Sequence, residues 1–276
     1  MIQIMGVPFQ LNSMWNLGSS EKSIIQYMYK APVLYSYPSN DEFLFEINLR
    51  TRIIESAEDM NESQMEFTIF EYARCNSKYW NLTELGGFLL RHDVRPSDAI
   101  EDIYKSSSLY AFECATACII IFYHAILKSI GDHLFNLIFQ NLYLYSWHSD
   151  PDLELDTFYA DHFLPGDVVY FNNPDFNLNT SWFRGENAVV LSDDSFFGHG
   201  IGIRTAEQMI QSLNEYRQPQ SNQSAYLTDS ITRPSFRNLF QLTLVQRHHP
   251  AFKKQQFVIH HNKCSIPFME HLFYRY

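Results

Sequence analysis

The 19 residues from Leu109 to Leu127 are almost wholly apolar, and a run of that length has few ways to fold. About 20 apolar residues are needed to cross a bilayer. Glu113, Thr116 and His124 interrupt this run, and an ionisable side chain at mid-bilayer costs roughly 2.5–3.5 kcal/mol. The run therefore reads as a buried core helix that begins near Glu113 and reaches about Ser129, where Gly131 stops it. No membrane span is expected.

A core of that size needs a chain to surround it. The sequence has 276 residues, 46% apolar and 16% aromatic, with 10 Gly and 11 Pro. That composition excludes disorder and collagen-like repeats and points to one large domain, or two. The formal charge of −11 argues against nucleic acid as a partner, because phosphate binding relies on clustered Lys and Arg. The cysteines, Cys75, Cys114, Cys118 and Cys264, are too few and too irregular for a disulfide scaffold or a paired-cysteine zinc site. A reducing compartment is the simpler reading. The first cationic side chain is Lys22, so the start lacks the basic flank of a secretory signal, and the protein is expected to stay inside the cell.

The N-terminal third is predicted to be mostly helical. Ser19-Ser20-Glu21-Lys22 opens one helix, Asn40-Asp41-Glu42 opens another through about Ser56, and a third covers Glu66 to Ala73. Tyr79 to Leu90, with Gly86-Gly87, reads as a loop leading into an irregular or hairpin segment, and Pro96 starts a further helix. Further on the period changes to two. Gly166 to Phe171, Glu186 to Leu191 and Phe196 to Ile203 read as strands, and Thr205 with Gln208 fits a capping box. The expected class is α+β, a small antiparallel sheet packed by helices.

Residues 1–245 are expected to form one domain and 246–276 an appended tail. The tail holds 5 of the 11 histidines and 5 Lys and Arg against the single acid Glu270, so it carries +4 and leaves −15 on the rest. Such asymmetry suggests a segment that lies on the acidic body or extends from it.

Of the four cysteines, Cys114 has the best chemical setting. It falls in the first turn of the apolar helix, where free N–H groups and the helix dipole favour a thiolate. With an ordinary pKa near 8.5, only about 3% of a thiol is ionised at pH 7, and a drop of about 1.5 raises that to roughly half. Cys118, one turn further in, is a packing residue, and Cys75 and Cys264 have no nearby base in sequence.

A nucleophilic cysteine also needs a base and an orienting group. If Asp193-Asp194 is a two-residue hairpin loop, His199 opposes Ala188 and becomes a diagonal neighbour of Glu186 on one sheet face. A one-residue slip would separate the two. Glu113 has a plain role as a carboxylate at the helix start. Two carboxylates near one thiol also suit a reaction whose second substrate is an amine that must lose a proton before it attacks.

Five motifs together resemble the protein-glutamine γ-glutamyltransferases of spore-forming bacilli. They are Tyr110 to Ala117, Gly166 to Phe171, Trp182-Phe183-Arg184-Gly185-Glu186-Asn187, Gly198 to Gly202, and Ser224 to Leu227, and their order and spacing match over roughly residues 25 to 240. The resemblance implies a papain-like, NlpC/P60-like core with the nucleophile at a helix N-terminus. It implies Cys114 as nucleophile, Glu186 as its main acid/base partner and Glu113 as a partial substitute. His199 occupies the strand position where NlpC/P60 hydrolases carry their base. Trp147, Tyr170 and Trp182 match positions lining a narrow apolar passage, with Phe67 as a fourth wall.

The implied substrates are proteins supplying Gln and Lys side chains, spore-coat proteins in particular, in the mother cell of a sporulating bacterium. No calcium, other metal or cofactor is implied. The alternating acids Asp150, Asp152, Glu154 and Asp156 lack the sixth-position glycine of an EF-hand, since Leu155 stands there. Two alternatives remain open on sequence. One is a deamidase or NlpC/P60-type hydrolase using the same thioester. The other is a structural coat protein or metal-binding module using His248-His249, His260-His261 and Cys264.

Overall fold

The computed structural model describes residues 1–10, 17–245, 253, 257–261, 263 and 266–274. The chain opens with β1 (Ile2–Ile4) and β2 (Val7–Pro8), then α1 (Ser19–Lys30), β3 (Tyr35–Tyr37) and α2 (Asn40–Glu62). Ser39 caps α2, its hydroxyl accepting from the Glu42 amide at 3.1 Å. The helix runs past the expected end at Ser56 because Ile53, Ala57 and Met60 continue its apolar stripe, all buried. Arg50, with no exposed surface, fastens α2 to the rest. Its guanidinium donates to Asp167 Oδ1 at 2.9 Å, the Pro165 carbonyl at 3.0 Å and Glu46 Oε1 at 2.9 Å.

The predicted helix over Glu66 to Ala73 does not form. The chain there makes β4 (Glu66–Phe67) and a single 3-10 turn, Phe70–Tyr72. After the hairpin of β5 (Trp80–Leu82) and β6 (Phe88–Leu90) and the helix α3 (Pro96–Lys105) comes β7 (Ala111–Phe112), which pairs parallel with β4. The amides of Glu66, Thr68 and Arg74 donate to Tyr110, Phe112 and Ala111. Tertiary pairing thus takes the hydrogen bonds that a helix would have kept within itself.

The apolar run is α4 (Cys114–Ile138), and every residue from Cys114 to Leu127 is buried. Gly131, at φ 76° and ψ 164°, breaks the helix, and a short helical continuation follows it. The polar interruptions are satisfied inside the protein. Thr116 Oγ1 donates to Glu113, and His124 stacks on Tyr104 with Nδ1 2.9 Å from Ser56 Oγ. Among the described residues α4 is the one helix long and apolar enough to cross a membrane, and it is the core helix.

Beyond β8 (Tyr143–Leu144) the chain builds a six-stranded antiparallel sheet from β9 (Leu155–Tyr159), β10 (Val168–Asn172), β11 (Gly185–Val190), β12 (Ser195–Gly198), β13 (Gly202–Thr205) and β14 (Tyr226–Pro234). Their order is β13-β12-β11-β10-β14-β9. Val168, Val189, Leu191 and Phe197 join the core shared with α2 and α4, while Val169, Phe171, Ala188, Val190 and Phe196 face α5 (Ala206–Asn214). Thr205 and Gln208 form the expected capping box of α5. Helix α6 (Phe236–Leu244) packs on α2, and α7 (Phe268–Phe273) lies in the tail.

Two expectations about this sheet are corrected. Phe196 to Ile203 is two strands, β12 and β13, joined by a turn at His199–Ile201. The loop between β11 and β12 has three residues, closed by the Leu191 amide on the Ser195 carbonyl, with Asp194 left-handed at φ 62°. Ala188 therefore pairs with Gly198, not His199. That one-residue slip removes His199 from the face of Glu186.

Candidate active site

Glu113 and Cys114 begin α4. Glu113 is the N-cap. Its carboxylate accepts from the amides of Ala115 at 2.8 Å and Thr116 at 2.6 Å and from Thr116 Oγ1 at 2.7 Å, while Thr116 Oγ1 accepts from the Ser146 amide at 2.8 Å. Capping of this kind fixes the first turn. It holds Cys114 at the first helical position, where the helix field favours a thiolate. Cys118 follows in the same helix with its sulfur toward the Asn187 carbonyl at 3.9 Å. Burial pushes that thiol well up, as it does Cys75, which rises to about 12, so both stay protonated.

Strand β11 crosses the start of α4. Asn187, 2% exposed, reaches the nucleophile position, with Nδ2 3.3 Å from Cys114 Sγ. Side chains alternate along a strand, so Glu186 leaves β11 on the opposite face. There its Cγ lies 2.7 Å from where a Cβ on Gly198 would stand, so only glycine fits opposite. The sequence pointed to Glu186 as the residue across from the sulfur, yet its neighbour Asn187 makes the described contact. The motif contained Asn187, and sequence reasoning gave it no role. Asparagine next to the expected acid, on the strand face turned to a helix N-terminus, was the available signal.

Glu186 is fully buried, and among the described residues neither carboxylate oxygen completes a hydrogen bond. Desolvation raises its pKa to about 8. The nearby amides of Gly200 and His199 pull it back without closing a bond, and the charge of Glu113 pushes it further up. Tyr170, which crosses Gly185 with its hydroxyl 2.1 Å from a would-be Cβ, is likewise raised by burial and responds to charge on Cys114, Glu270 and Glu186. The two carboxylates, the thiol and the phenol thus occupy one dry neighbourhood around the start of α4.

The remaining predicted residues fall on two sides. Trp147, 1% exposed, lies near Asn187, and both donate to the carbonyl of Ile266, at 2.7 Å and 3.0 Å. On the other side His199 stacks on Phe112 with centroids 4.6 Å apart and meets Phe67 edge-on at 6.2 Å. Its Nε2 is 3.2 Å from the Glu66 carbonyl. Burial against these rings lowers its pKa to about 4, against the pull of the Glu66 and Phe112 carbonyls, which leaves the imidazole neutral. Phe67 stacks with Phe183 at 6.0 Å, and Phe183 meets Trp182 at 6.3 Å. Phe67, Trp182 and His199 therefore form one aromatic group through Phe183, whereas Trp147 packs edge-on to Phe268 and Tyr170 is the strand partner of Asn187.

No three His, Cys, Asp or Glu side chains gather as a metal site among the described residues. Asp150 and Asp152 hold Lys253 at 2.6 Å and 2.9 Å. His261 Nε2 is 3.0 Å from Ser146 Oγ and His260 Nε2 is 3.3 Å from Tyr143 OH, while His248, His249 and Cys264 lie outside the described residues.

A buried helix with Cys114 at its N-terminus, set against an antiparallel sheet, is consistent with a papain-like core. The family model for protein-glutamine γ-glutamyltransferase matches residues 1–243, and the chain belongs to that family. It is 60% identical over 274 residues to the protein-glutamine γ-glutamyltransferase of Halalkalibacterium halodurans, covering 99% of this chain and 96% of the relative. It is 44% identical over 234 residues to that of Bacillus mycoides, 85% of each chain. A solved structure, the transglutaminase of Geobacillus stearothermophilus without its C-terminal extension, superposes with a TM-score of 0.72 at 49% identity, covering 74% of this chain and 98% of that one. The reaction is γ-glutamyl transfer from protein glutamine to lysine amines.

Proposed function

We propose that Cys114 is the nucleophile of this transfer and Glu186 its proton carrier. The observation that carries this reading is Cys114 at the first position of a capped helix, with a buried carboxyl group poised near pH 8 on the strand that crosses it. An ordinary thiol pKa is near 8.5 and that of Glu186 is about 8, so proton exchange between them costs little, relayed by water or by the substrate because Glu186 leaves β11 on the face away from Cys114. The Cys114 thiolate attacks the glutamine Cδ. The tetrahedral intermediate collapses, Glu186 gives its proton to the departing ammonia, and a γ-glutamyl thioester remains. A lysine amine then attacks the thioester carbon, Glu186 takes its proton, and the thiolate is released as the isopeptide forms.

Water in place of lysine would yield glutamate, so the aromatic walls matter. Trp147 and Tyr170 on one side and Phe67 and Trp182 on the other would shelter the thioester. Glu113 holds the helix start and adds negative charge to the site, and His199 orients the turn after β12. The taking up of Asp150 and Asp152 by Lys253 supports a reaction without calcium. Likeness to enzymes of Bacillus supports coat proteins of the forming spore as substrates and the mother cell as the place of action.

Prolonged incubation with a glutamine-rich protein and a fluorescent primary amine tests the assignment. Label should enter the protein, should vanish with Cys114→Ala and should survive a chelator. Equal labelling by Cys114→Ala would overturn the role of Cys114. Mass gain matching deamidation without cross-linked products would favour the hydrolase.

A further inference from the structure

Cys114 has no exposed surface, and the buried Ile266 of the tail is held by Asn187, the residue that reaches the Cys114 sulfur. The Ile266 carbonyl oxygen accepts from Trp147 Nε1 at 2.7 Å and from Asn187 Nδ2 at 3.0 Å, and the same Asn187 nitrogen is 3.3 Å from Cys114 Sγ. One amide nitrogen therefore bridges the sulfur and a foreign carbonyl oxygen that also receives an indole N–H. Two convergent donors on a carbonyl oxygen beside a nucleophile are what a carboxamide substrate requires as its oxygen gains charge. We propose that the 266–274 segment is a built-in pseudosubstrate: it seats the Ile266 carbonyl in the acyl-donor site, where Asn187 and Trp147 hold the glutamine carboxamide, and so keeps the enzyme latent.

The seat is built and not incidental. Ile266 has no exposed surface, Phe268 is buried and packs edge-on to Trp147 at 5.5 Å, and His271 is buried one turn further along α7. Glu270 pairs with Arg184, the residue before β11, at 3.0 Å, and also with Lys263 at 3.1 Å. Pro267, Met269 and Phe273 form one wall of a cleft of about 670 Å³ whose other wall is Tyr159, Tyr170 and Tyr226. Moving the segment would widen this cleft toward Tyr170 and uncover Asn187.

The chemistry of the occupant fits a ligand that is not consumed. The Ile266 carbonyl belongs to a tertiary amide, because the next residue is Pro267. It offers the oxygen that the donors hold, but its nitrogen is locked in a ring and in the main chain. It cannot leave as ammonia, and the β-branched Ile266 crowds the carbonyl carbon. The segment thus occupies the site without acylating Cys114. Release is an equilibrium, so the whole chain works slowly through its open fraction.

This inference rests on Cys114 as the nucleophile, and its test separates the two claims. The full-length chain is compared with Phe268→Asp and with Glu270→Lys, the second at a partly exposed position that spares the fold. Two quantities are read: iodoacetamide alkylation mapped to Cys114 by mass spectrometry, and amine incorporation. Loss of the Phe268 contact should speed alkylation of Cys114 by about tenfold or more. Amine incorporation should rise in parallel, and a synthetic peptide of residues 266–274 added to either variant should slow it again. Equal Cys114 alkylation in all three folded proteins would overturn the pseudosubstrate. Faster alkylation at Cys114 with no amine incorporation would uphold the covering segment and sink the catalytic assignment.

Discussion

The side-chain nitrogen of Asn187 stands 3.3 Å from the sulfur of Cys114, and through that contact the central strand of the sheet touches the first residue of the core helix. The same nitrogen holds a carbonyl oxygen at 3.0 Å. A group so placed can steady the charge that develops on a substrate oxygen while Cys114 attacks. Removing one such donor typically costs about 10²–10³ in kcat. Asn187→Ala should show a loss of that order in the folded protein, with a thermal midpoint lowered by the lost hydrogen bond to Ile266, worth about 1–3 kcal/mol. A full-rate Asn187→Ala would deny the residue any part in the reaction.

Glu186 makes folding depend on pH. Below about pH 4.5 the folded and unfolded chains both hold its proton. Between 4.5 and about 8 only the folded chain does, so stability falls as pH climbs through this window. Each pKa unit is worth about 1.4 kcal/mol, and the wild type should lose a few kcal/mol that Glu186→Gln retains. Denaturant unfolding of both proteins at pH 5 and pH 9 measures it. A stability difference that stays constant with pH would mean that Glu186 ionises normally.

Glu113 does two things that can be separated. Its carboxylate caps α4 and adds charge beside Cys114. Glu113→Ala should cost about 1 kcal/mol through the lost cap, whereas serine caps well and Glu113→Ser should restore most of it. If Glu113 acts mainly as a cap, Glu113→Ser also keeps most of the amine incorporation. Full stability with lost activity in Glu113→Ser would instead give the carboxylate a direct chemical role.

Asp167 neutralises Arg50 in the core, at 2.9 Å and with 1% exposure. Asp167→Ala leaves the buried Arg50 guanidinium with Glu46 as its one remaining carboxylate partner among the described residues, and breaking such a buried pair costs up to about 3–5 kcal/mol. Replacing both residues, Arg50→Met with Asp167→Leu, should be far less harmful than the single change. A single variant as stable as wild type would show that water reaches Arg50 in solution.

What the sequence disclosed was local. The apolar run, the stop at Gly131, the capping box at Thr205 and the place of Cys114 in a first helical turn all depend on neighbours within one or two turns. The failures depend on distant partners or on one turn. Residues 66–73 carry no strong strand pattern and become extended only because the segment before Cys114 offers them hydrogen bonds. The β11–β12 register turned on Asp193, whose carboxylate accepts from the Ser195 amide at 3.2 Å and its hydroxyl at 2.5 Å, which favours three loop residues over two. His199 was displaced by that single residue, and Asn187 gained its position because strand alternation gives the sulfur to one member of an adjacent pair. The tail showed its charge in composition, but not that Ile266 would be seated beside the nucleophile.

The central claim is that Cys114 becomes acylated by glutamine. Intact-mass analysis of Phe268→Asp incubated with a glutamine peptide, without any amine, tests it most directly. The account predicts a hydroxylamine-labile adduct equal to the peptide minus ammonia, mapped to Cys114 and absent when Cys114→Ala is added. An adduct on another residue, or its persistence without Cys114, would contradict it.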